Sequence, residues 1–276
     1  MSGELDSGVA KASLAAAQRV LDQQLAAEGA DAGKTGEDLF AVTSLLDSSV
    51  GLRRALTDPS REGSAKADFV RRTLSGRITP AALETVVALA SARWTAGRDL
   101  SDATERLAVV AVVTQAEKSG HLDALEDELF RFSRTIAGNA ALRDALADRT
   151  APDANRASLA SRLLLGKASP ETVQLARRVA TSPRGLRAEH LLEDWVEVVA
   201  RRREQLVAHV VSAVPLNENQ RERLAASLSR QYGRAIRINV DVDPHLVGGL
   251  RVSVGDDVID GSISTRLDEA RRRLAG

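Results

Sequence analysis

Four histidines, two arginine triplets, two acidic pairs and a glycine doublet are the residues whose types could do chemistry in this chain. His121, His190, His209 and His245 are scattered and lack the short spacing that places two imidazoles on one metal ion. His121 follows Gly120 at a helix break and His245 follows Pro244 in a bend, so both read as solvated loop residues. Asp241 with Asp243, and Asp256 with Asp257, flank one hairpin; such oxygen ligands suit a hard divalent cation, or simply furnish a polar strand face and a turn. Gly248-Gly249 follows a proline-containing bend and reads as a turn that needs positive φ or close backbone approach. There is no Gly-Xaa4-Gly-Lys-Ser/Thr phosphate loop and no Gly-Xaa-Gly-Xaa-Xaa-Gly. Cysteine is absent, which removes disulfides, thiolate metal sites and thiol nucleophiles. Enzymes need a convergent polar cluster, and none is legible, so no catalytic residue, cofactor site or metal site is assigned.

The triplets Arg201-Arg202-Arg203 and Arg271-Arg272-Arg273 could meet phosphates, but each lies at a helix end beside acidic residues and reads as a solvated terminus. Trp94 and Trp195 sit in helical patterns, as packing anchors or, alternatively, as interface residues. Lysine plus arginine equals aspartate plus glutamate, 38 each, and aromatics are 3%, so a nucleic-acid coat protein is disfavoured. A helical nucleic-acid-binding or regulatory adaptor using the arginine-rich helix ends is the alternative reading. Met1 to Asp6 offers no basic region followed by an apolar run, so no secretory signal is expected. The longest apolar run, Leu107 to Val113, is far short of the roughly 20 residues a membrane span needs, so membrane association is expected only through partners.

Positioning these residues falls to two kinds of element. With 276 residues the chain can build two or three modest domains. Up to about residue 206, apolar residues recur at helical spacing. Helices are expected near 9–29, 36–56, 64–75, 80–92, 98–119, 121–147, 153–165, 169–181 and 186–206, punctuated by Pro59, Pro80, Pro152, Pro170 and Pro183. The helical part repeats itself ninety residues on. Leu39-Phe40 recurs as Leu129-Phe130, Leu52-Arg53-Xaa-Ala55-Leu56-Xaa-Asp58 as Leu142-Arg143-Xaa-Ala145-Leu146-Xaa-Asp148, and Gly76-Xaa-Xaa-Xaa-Pro80 as Gly166-Xaa-Xaa-Xaa-Pro170. The matches fall on packing leucines, a glycine stop and a proline start, which favours duplication over chance.

The remainder alternates. Gln205 to Leu216 reads as a strand, and Asn217 with Gln220 opens a helix through a capping-box variant. Ile236, Ile238, Val240 and Val242 then share one face of a strand; Leu250, Val252 and Val254 share one face of the next, and Val258-Ile259-Asp260 forms a short edge. A final amphipathic helix is expected with Ile263, Leu267, Ala270 and Leu274 on one side. The fold class is thus mainly α with a C-terminal α+β domain: a helical bundle, then a small sheet covered by two helices, opened by a parallel strand–helix–strand crossover.

The stretch Val240-Asp241-Val242-Asp243-Pro244-His245-Leu246-Val247-Gly248-Gly249-Leu250-Arg251-Val252-Ser253-Val254-Gly255-Asp256-Asp257-Val258-Ile259-Asp260-Gly261-Ser262, with Ser212 to Leu216 before it, closely resembles the delta subunit of F-type ATP synthases. The mitochondrial counterpart is the oligomycin-sensitivity-conferring protein. The two-glycine bend and the Ile-Asp-Gly-Ser exit are the most specific signature. The likeness extends upstream through Glu117-Lys118-Ser119-Gly120-His121-Leu122-Asp123 and Ala140-Ala141-Leu142-Arg143, which look like parts of the family's six-helix domain, and covers about 105–276. Residues 1–104 depart from the usual pattern as a diverged partial copy, resembling the extended actinobacterial form. The resemblance implies a non-catalytic stator subunit without cofactors, peripheral on the cytoplasmic face of the bacterial membrane.

It also implies a division of labour. Residues 105–206 would hold an N-terminal helix of the alpha subunit at the catalytic head, where other head subunits are neighbours. Residues 207–276 would bind the C-terminal end of the b-type stator subunit. An apolar groove for the alpha helix is expected from Leu107, Val110, Val113, Val173, Leu175 and Val179. The stalk-side signature comprises Val240, Val242, Val247, Gly248, Gly249, Leu250, Val252, Gly255, Ile259, Asp260, Gly261 and Ser262.

Overall fold

The computed structural model describes residues 7–184, 187–204, 207–232, 236–243, 246, 248–255 and 257–260. The expected final helix, with Arg271 to Arg273, and the signature residues Val247, Gly261 and Ser262 lie outside these residues, as do Pro244, His245 and Asp256. The chain divides into two compact units, 1–199 and 200–276.

Eleven helices precede the sheet among the described residues: α1 (Gly8–Ala26), α2 (Ala32–Ser48), α3 (Val50–Thr57), α4 (Gly63–Leu74), α5 (Pro80–Ser91), α6 (Gly97–Lys118), α7 (Leu122–Gly138), α8 (Ala140–Ala147), α9 (Asp153–Leu164), α10 (Pro170–Thr181) and α11 (Ala188–Glu204). The continuous helices expected over 36–56 and 121–147 are each two helices. At Ser49 the backbone leaves helical values (φ −121°, ψ 96°), and its side chain accepts a bond from the Leu52 amide. At Asn139 the same occurs (φ −129°, ψ 101°), with Leu142 as donor. Both are preferred N-caps, and the cap bond satisfies an amide that the helix start would leave orphaned.

These two caps lie ninety residues apart, and so do the limits of α2 and α7, α3 and α8, α4 and α9, and α5 and α10. The turns obey the same register. Gly76 and Gly166 take φ of 72° and 69°, a left-handed conformation that closes the preceding helix without a Cβ clash. Thr79 and Ser169 cap α5 and α10, each followed by proline at the first helical position. The amide of Thr79 donates to Asp38 (2.7 Å), and that of Ser169 donates to Glu128 (2.9 Å). Asp58 and Asp148 each accept from a hydroxyl residue two positions on, Ser60 and Thr150. Sequence identity at thirteen of 52 positions thus understates the agreement, because unlike residues perform the same turn chemistry.

Helix α6 joins the two halves. It packs against α1, α2, α3 and α5 on one side of the repeat and α7 and α10 on the other. Every residue from Leu107 to Thr114 is buried, so α6 has no solvent face along this stretch. The sequence boundary between 104 and 105 falls inside this uninterrupted helix.

In the second unit β1 (Val207–Ser212), α12 (Glu218–Tyr232), β2 (Arg237–Val242), β3 (Leu250–Val254) and β4 (Asp257–Asp260) form a four-stranded sheet in the order β2-β1-β3-β4. β1 and β2 are parallel with Val210 opposite Val240; β3 runs antiparallel to β1 and to β4. β1 is shorter than the expected strand over 205–216. It stops at Ser212, whose hydroxyl donates to the Val214 carbonyl (2.7 Å) and turns the chain before Pro215. Asn217 and Gln220 exchange side-chain and backbone bonds at 3.0 and 2.9 Å, a reciprocal cap on α12. The core is small: Ala208, Val210, Leu228, Ile236, Val252 and Val254, with Leu224, Tyr232 and Leu250 packed against it. Gly248 and Gly249 have φ of 142° and 88°, so the bend before β3 requires residues without a Cβ.

Candidate partner-binding surfaces

Where the sequence suggests an open groove, the structure has a filled one. Leu107, Val113 and Leu175 are 0% exposed, Val179 1% and Val110 5%; Val173 is half-buried. The expected groove of α6 and α10 is therefore core in the free chain: α2 packs on α6, and α9 packs on α10. A Cβ placed on Gly36 of α2 would lie 2.7 Å from Val112 Cγ2 and 3.1 Å from the Ala108 carbonyl, so the α2 backbone rests directly on α6. α2 also reaches α10: Gln174 donates to the Gly33 carbonyl (3.2 Å), and Arg178 donates to the Ser44 hydroxyl (2.8 Å). Phe40 of α2 lies under the Arg178 guanidinium, 4.9 Å from ring centroid to Cζ, and tilts against Trp195 of α11 with centroids 6.1 Å apart. Arg-over-ring contacts of this kind contribute about 0.5–2 kcal/mol, the more so when desolvated.

A charge cluster closes this junction. Glu105 of α6 accepts Arg178 Nε and Nη2 on one oxygen (3.3 and 3.1 Å) and Arg184 Nη1 on the other (2.9 Å). Arg184 also grips Asp47 of α2 through Nε (2.6 Å) and Nη2 (3.1 Å), and meets Asp102 of α6 at 2.7 Å. Its φ of 51° is a left-handed conformation that a non-glycine residue holds only under constraint. Burial alone would depress both guanidiniums. In Arg184 that effect is overcome by Glu105, Asp47 and Asp102, and its pKa is raised; Arg178, facing Glu105 and the neighbouring Arg184 cation, is left lowered. Burial likewise raises the Asp102 carboxyl despite the arginines beside it. Both arginines stay charged at any physiological pH, so the cluster acts as a fixed clamp between the halves.

The remaining candidates are structural. Trp94 is buried, and its indole N–H donates to the Leu89 carbonyl at 2.7 Å. His121 is no bare loop residue: it stands at the N-cap position of α7 without a side-chain cap bond, and its Nδ1 lies 3.1 Å from an oxygen of the buried Glu171 on α10. His190 pairs with Glu193 at 3.3 Å, and His209 is exposed on β1. The expectation of solvated arginines at the end of α11 is corrected at Arg202, which is 8% exposed. No group of three metal-ligating side chains occurs among the described residues.

Exposed apolar side chains are the signal that the sequence reading misses. Phe130 on α7 is 53% exposed and Leu165 after α9 is 79% exposed. Phe130 lies off the stripe of Leu122, Leu125, Leu129, Phe132 and Ile136 that α7 buries, and that displacement is readable from spacing alone. On the sheet unit Val242, Val258 and Ile259 are exposed at strands β2 and β4, the two edges of the sheet order. Of the signature residues, Val252 is core and Val240 and Leu250 pack against it; Gly255 turns β3 into β4 with φ of 56°, and Asp260 ends β4, 3.5 Å from Arg251.

Residues 109–274 match the family model described as ATP synthase delta (OSCP) subunit. The chain belongs to that family. A delta subunit of ATP synthase from Kineococcus radiotolerans is 90% identical over the full length of both chains. Delta subunits from Streptomyces avermitilis and Beutenbergia cavernae are 46% and 45% identical, covering 97% and 96% of this chain and 98% of each relative. These relatives share the helical segment that precedes the family match, so the extension is common to this group. As a member of the delta family the chain is a non-catalytic stator subunit of the F-type ATP synthase and a peripheral part of that complex. Among the described residues no helix is long and apolar enough to cross a membrane.

Proposed function

We propose that the chain ties the catalytic head of the synthase to its peripheral stalk on the cytoplasmic face of the membrane. The helical unit holds an N-terminal helix of an alpha subunit through the segment 105–206. The sheet unit holds the C-terminal end of the b-type subunit. The observation that carries this reading is the division into two compact units, each presenting exposed apolar side chains at positions its own core does not use. Because the apolar faces of α6 and α10 are buried within the chain, against α2 and α9 among others, the head contact falls on another surface of 105–206. Among the described residues β4 is an edge of the sheet, with Val258 and Ile259 exposed, and it is the stalk candidate, since an edge strand offers backbone groups and apolar contacts to another chain.

The test is a reconstitution with stripped membranes and separated heads. The full chain restores head–membrane coupling, and a chain lacking 207–276 binds the head without restoring it. Loss of head binding in that truncated chain, or coupling that survives without the sheet unit, refutes the division. A pull-down of the full chain and of the chain lacking 207–276 with an alpha-subunit N-terminal peptide tests whether the helical unit holds that helix; binding that requires the sheet unit refutes it.

A further inference from the structure

A cleft of about 510 Å³ opens between the end of α2, helix α3, the start of α6 and the loop after α10. Its charged lining is Arg53, Arg54, Arg98 and Arg184 against a single acid, Asp47. Arg184 is buried and directs its charge to Asp47, Asp102 and Glu105. When Asp102, Glu105 and Arg178 behind the cleft are counted, and Asp99 in the first turn of α6, cations still outnumber anions.

The surplus lies on the three outer arginines. Arg54 is exposed on α3 and pairs with no acid among the described residues. Arg98 is exposed as well; its Nε stands 3.8 Å from Asp102, a loose ion pair, and its Nη2 donates to the Arg184 carbonyl (3.1 Å). Arg53 Nη1 donates to the Leu46 and Asp47 carbonyls at the end of α2, while its Nε and Nη2 bond to no described residue.

The internal repeat separates what the fold needs from what it does not. Arg143, ninety residues after Arg53, likewise donates to a carbonyl that ends the preceding helix, that of Ala137. An arginine at this place therefore serves the fold of both halves. The positions that match Arg54 and Arg98 hold Asp144 and Ala188, so helices of this register form without a cation at either place.

The start of α6 adds to the attraction. A Cβ on Gly97, its first residue, would stand 3.7 Å from the Thr57 hydroxyl and 3.8 Å from Arg53 Cβ, so this helix start faces α3 across the cleft. Its N-cap, Ala96, has no side-chain oxygen for the amides that follow, and such amides favour an anion. Guanidinium forks match phosphate oxygens two at a time. A surplus shared by several arginines is met by a ligand with more than one negative charge.

We propose that this cleft binds a small oligophosphate, held by Arg54, Arg98 and the free side of Arg53. The site is independent of the stator reading, since it needs neither head nor stalk.

The test titrates pyrophosphate and ADP separately into the full chain by calorimetry, at low salt and without divalent cations. The wild-type chain binds pyrophosphate saturably with a Kd below about 1 mM, and the affinity falls as salt is added. R54D installs the residue that the second half holds at that position and weakens binding by about tenfold or more. R98A weakens it in the same direction. R134D makes the same charge change at an exposed position of α7 that does not line the cleft, and leaves binding unchanged. Pyrophosphate raises the Tm of the wild type and of R134D but not that of R54D, which shows in the same scan that each variant is folded. ADP held more tightly than pyrophosphate supports the site with a nucleotide as the source of the phosphates; equal affinities support it with a free oligophosphate. Absence of saturable binding below about 1 mM for both probes, or equal weakening by R54D and R134D, overturns the proposal.

Discussion

Replacing Glu105 with glutamine removes one negative charge from a site that holds two guanidiniums. Glu105 and Arg178 have side chains 8% and 9% exposed, and Arg184 7%, so none can recover its lost partner from bulk water. Arg184 keeps Asp47 and Asp102 as direct partners, whereas Arg178 keeps the Ser44 hydroxyl, the Phe40 ring and the more distant charge of Asp47. Breaking a buried pair from one side costs about 3–5 kcal/mol, and the partial compensation at Arg184 puts E105Q near the lower end, about 3 kcal/mol. For a unit of this size that loss lowers Tm by about 6–12 °C. The paired change E105Q with Arg178→Met removes the stranded cation and recovers at least about 1.5 kcal/mol, because apolar replacement of a buried pair is close to neutral. Urea unfolding of the four proteins in the cycle measures both quantities. A loss in E105Q below about 0.5 kcal/mol, or single-mutant losses that simply add in the double mutant, refutes the view that the cluster is a desolvated clamp.

Gly36→Ala forces a Cβ into Val112 and costs about 1–3 kcal/mol, whereas Gly33→Ala, whose nearest neighbour would be Gln115 Cγ at 3.5 Å, is neutral or stabilising; thermal denaturation separates them. Ser49→Ala and Asn139→Ala each remove a cap and cost about 1 kcal/mol, in the same direction and of similar size, as equivalent positions require; urea unfolding of the two variants checks this. Burial opposes ionisation of Glu128, but the hydroxyls of Thr172 and Ser169 and the Ser169 amide hold its pKa below the usual value of 4.5. A depressed carboxyl stabilises the fold above its unfolded pKa and loses that contribution as pH falls through the folded value. The denaturation midpoint of Glu128→Gln therefore changes less with pH in the acid range than that of the wild type, and equal slopes would contradict the assignment.

The parts of the fold governed by local chemistry are legible in the sequence. Pro80 and Pro170 start helices, Asn217 and Gln220 form the expected reciprocal cap, and the alternation of β3 puts Val252 and Val254 in the core. The breaks at Ser49 and Asn139 are hidden because apolar spacing continues through them, from Leu46 to Leu56 and from Ile136 to Leu146, and a cap needs only one residue to leave helical geometry. The burial of the expected groove residues is hidden for a different reason. Leu107, Val110 and Val113 lie in a continuous apolar run, and a run of this kind cannot tell a face kept for another protein from one covered by the same chain. Gly36, which lets α2 approach α6, is the available clue. The clamp is beyond reach, because Asp47, Glu105 and Arg184 meet only through tertiary structure.

Helix α6 has one more consequence. Two helical halves joined by a flexible linker would pivot on it, and a load applied to one would first take up slack before reaching the other. Here the joint is a single rod of 22 residues, roughly 33 Å long, gripped along its length by both halves. Elastic give in a stator built on this chain must therefore reside elsewhere, and the added helices introduce no hinge at their junction.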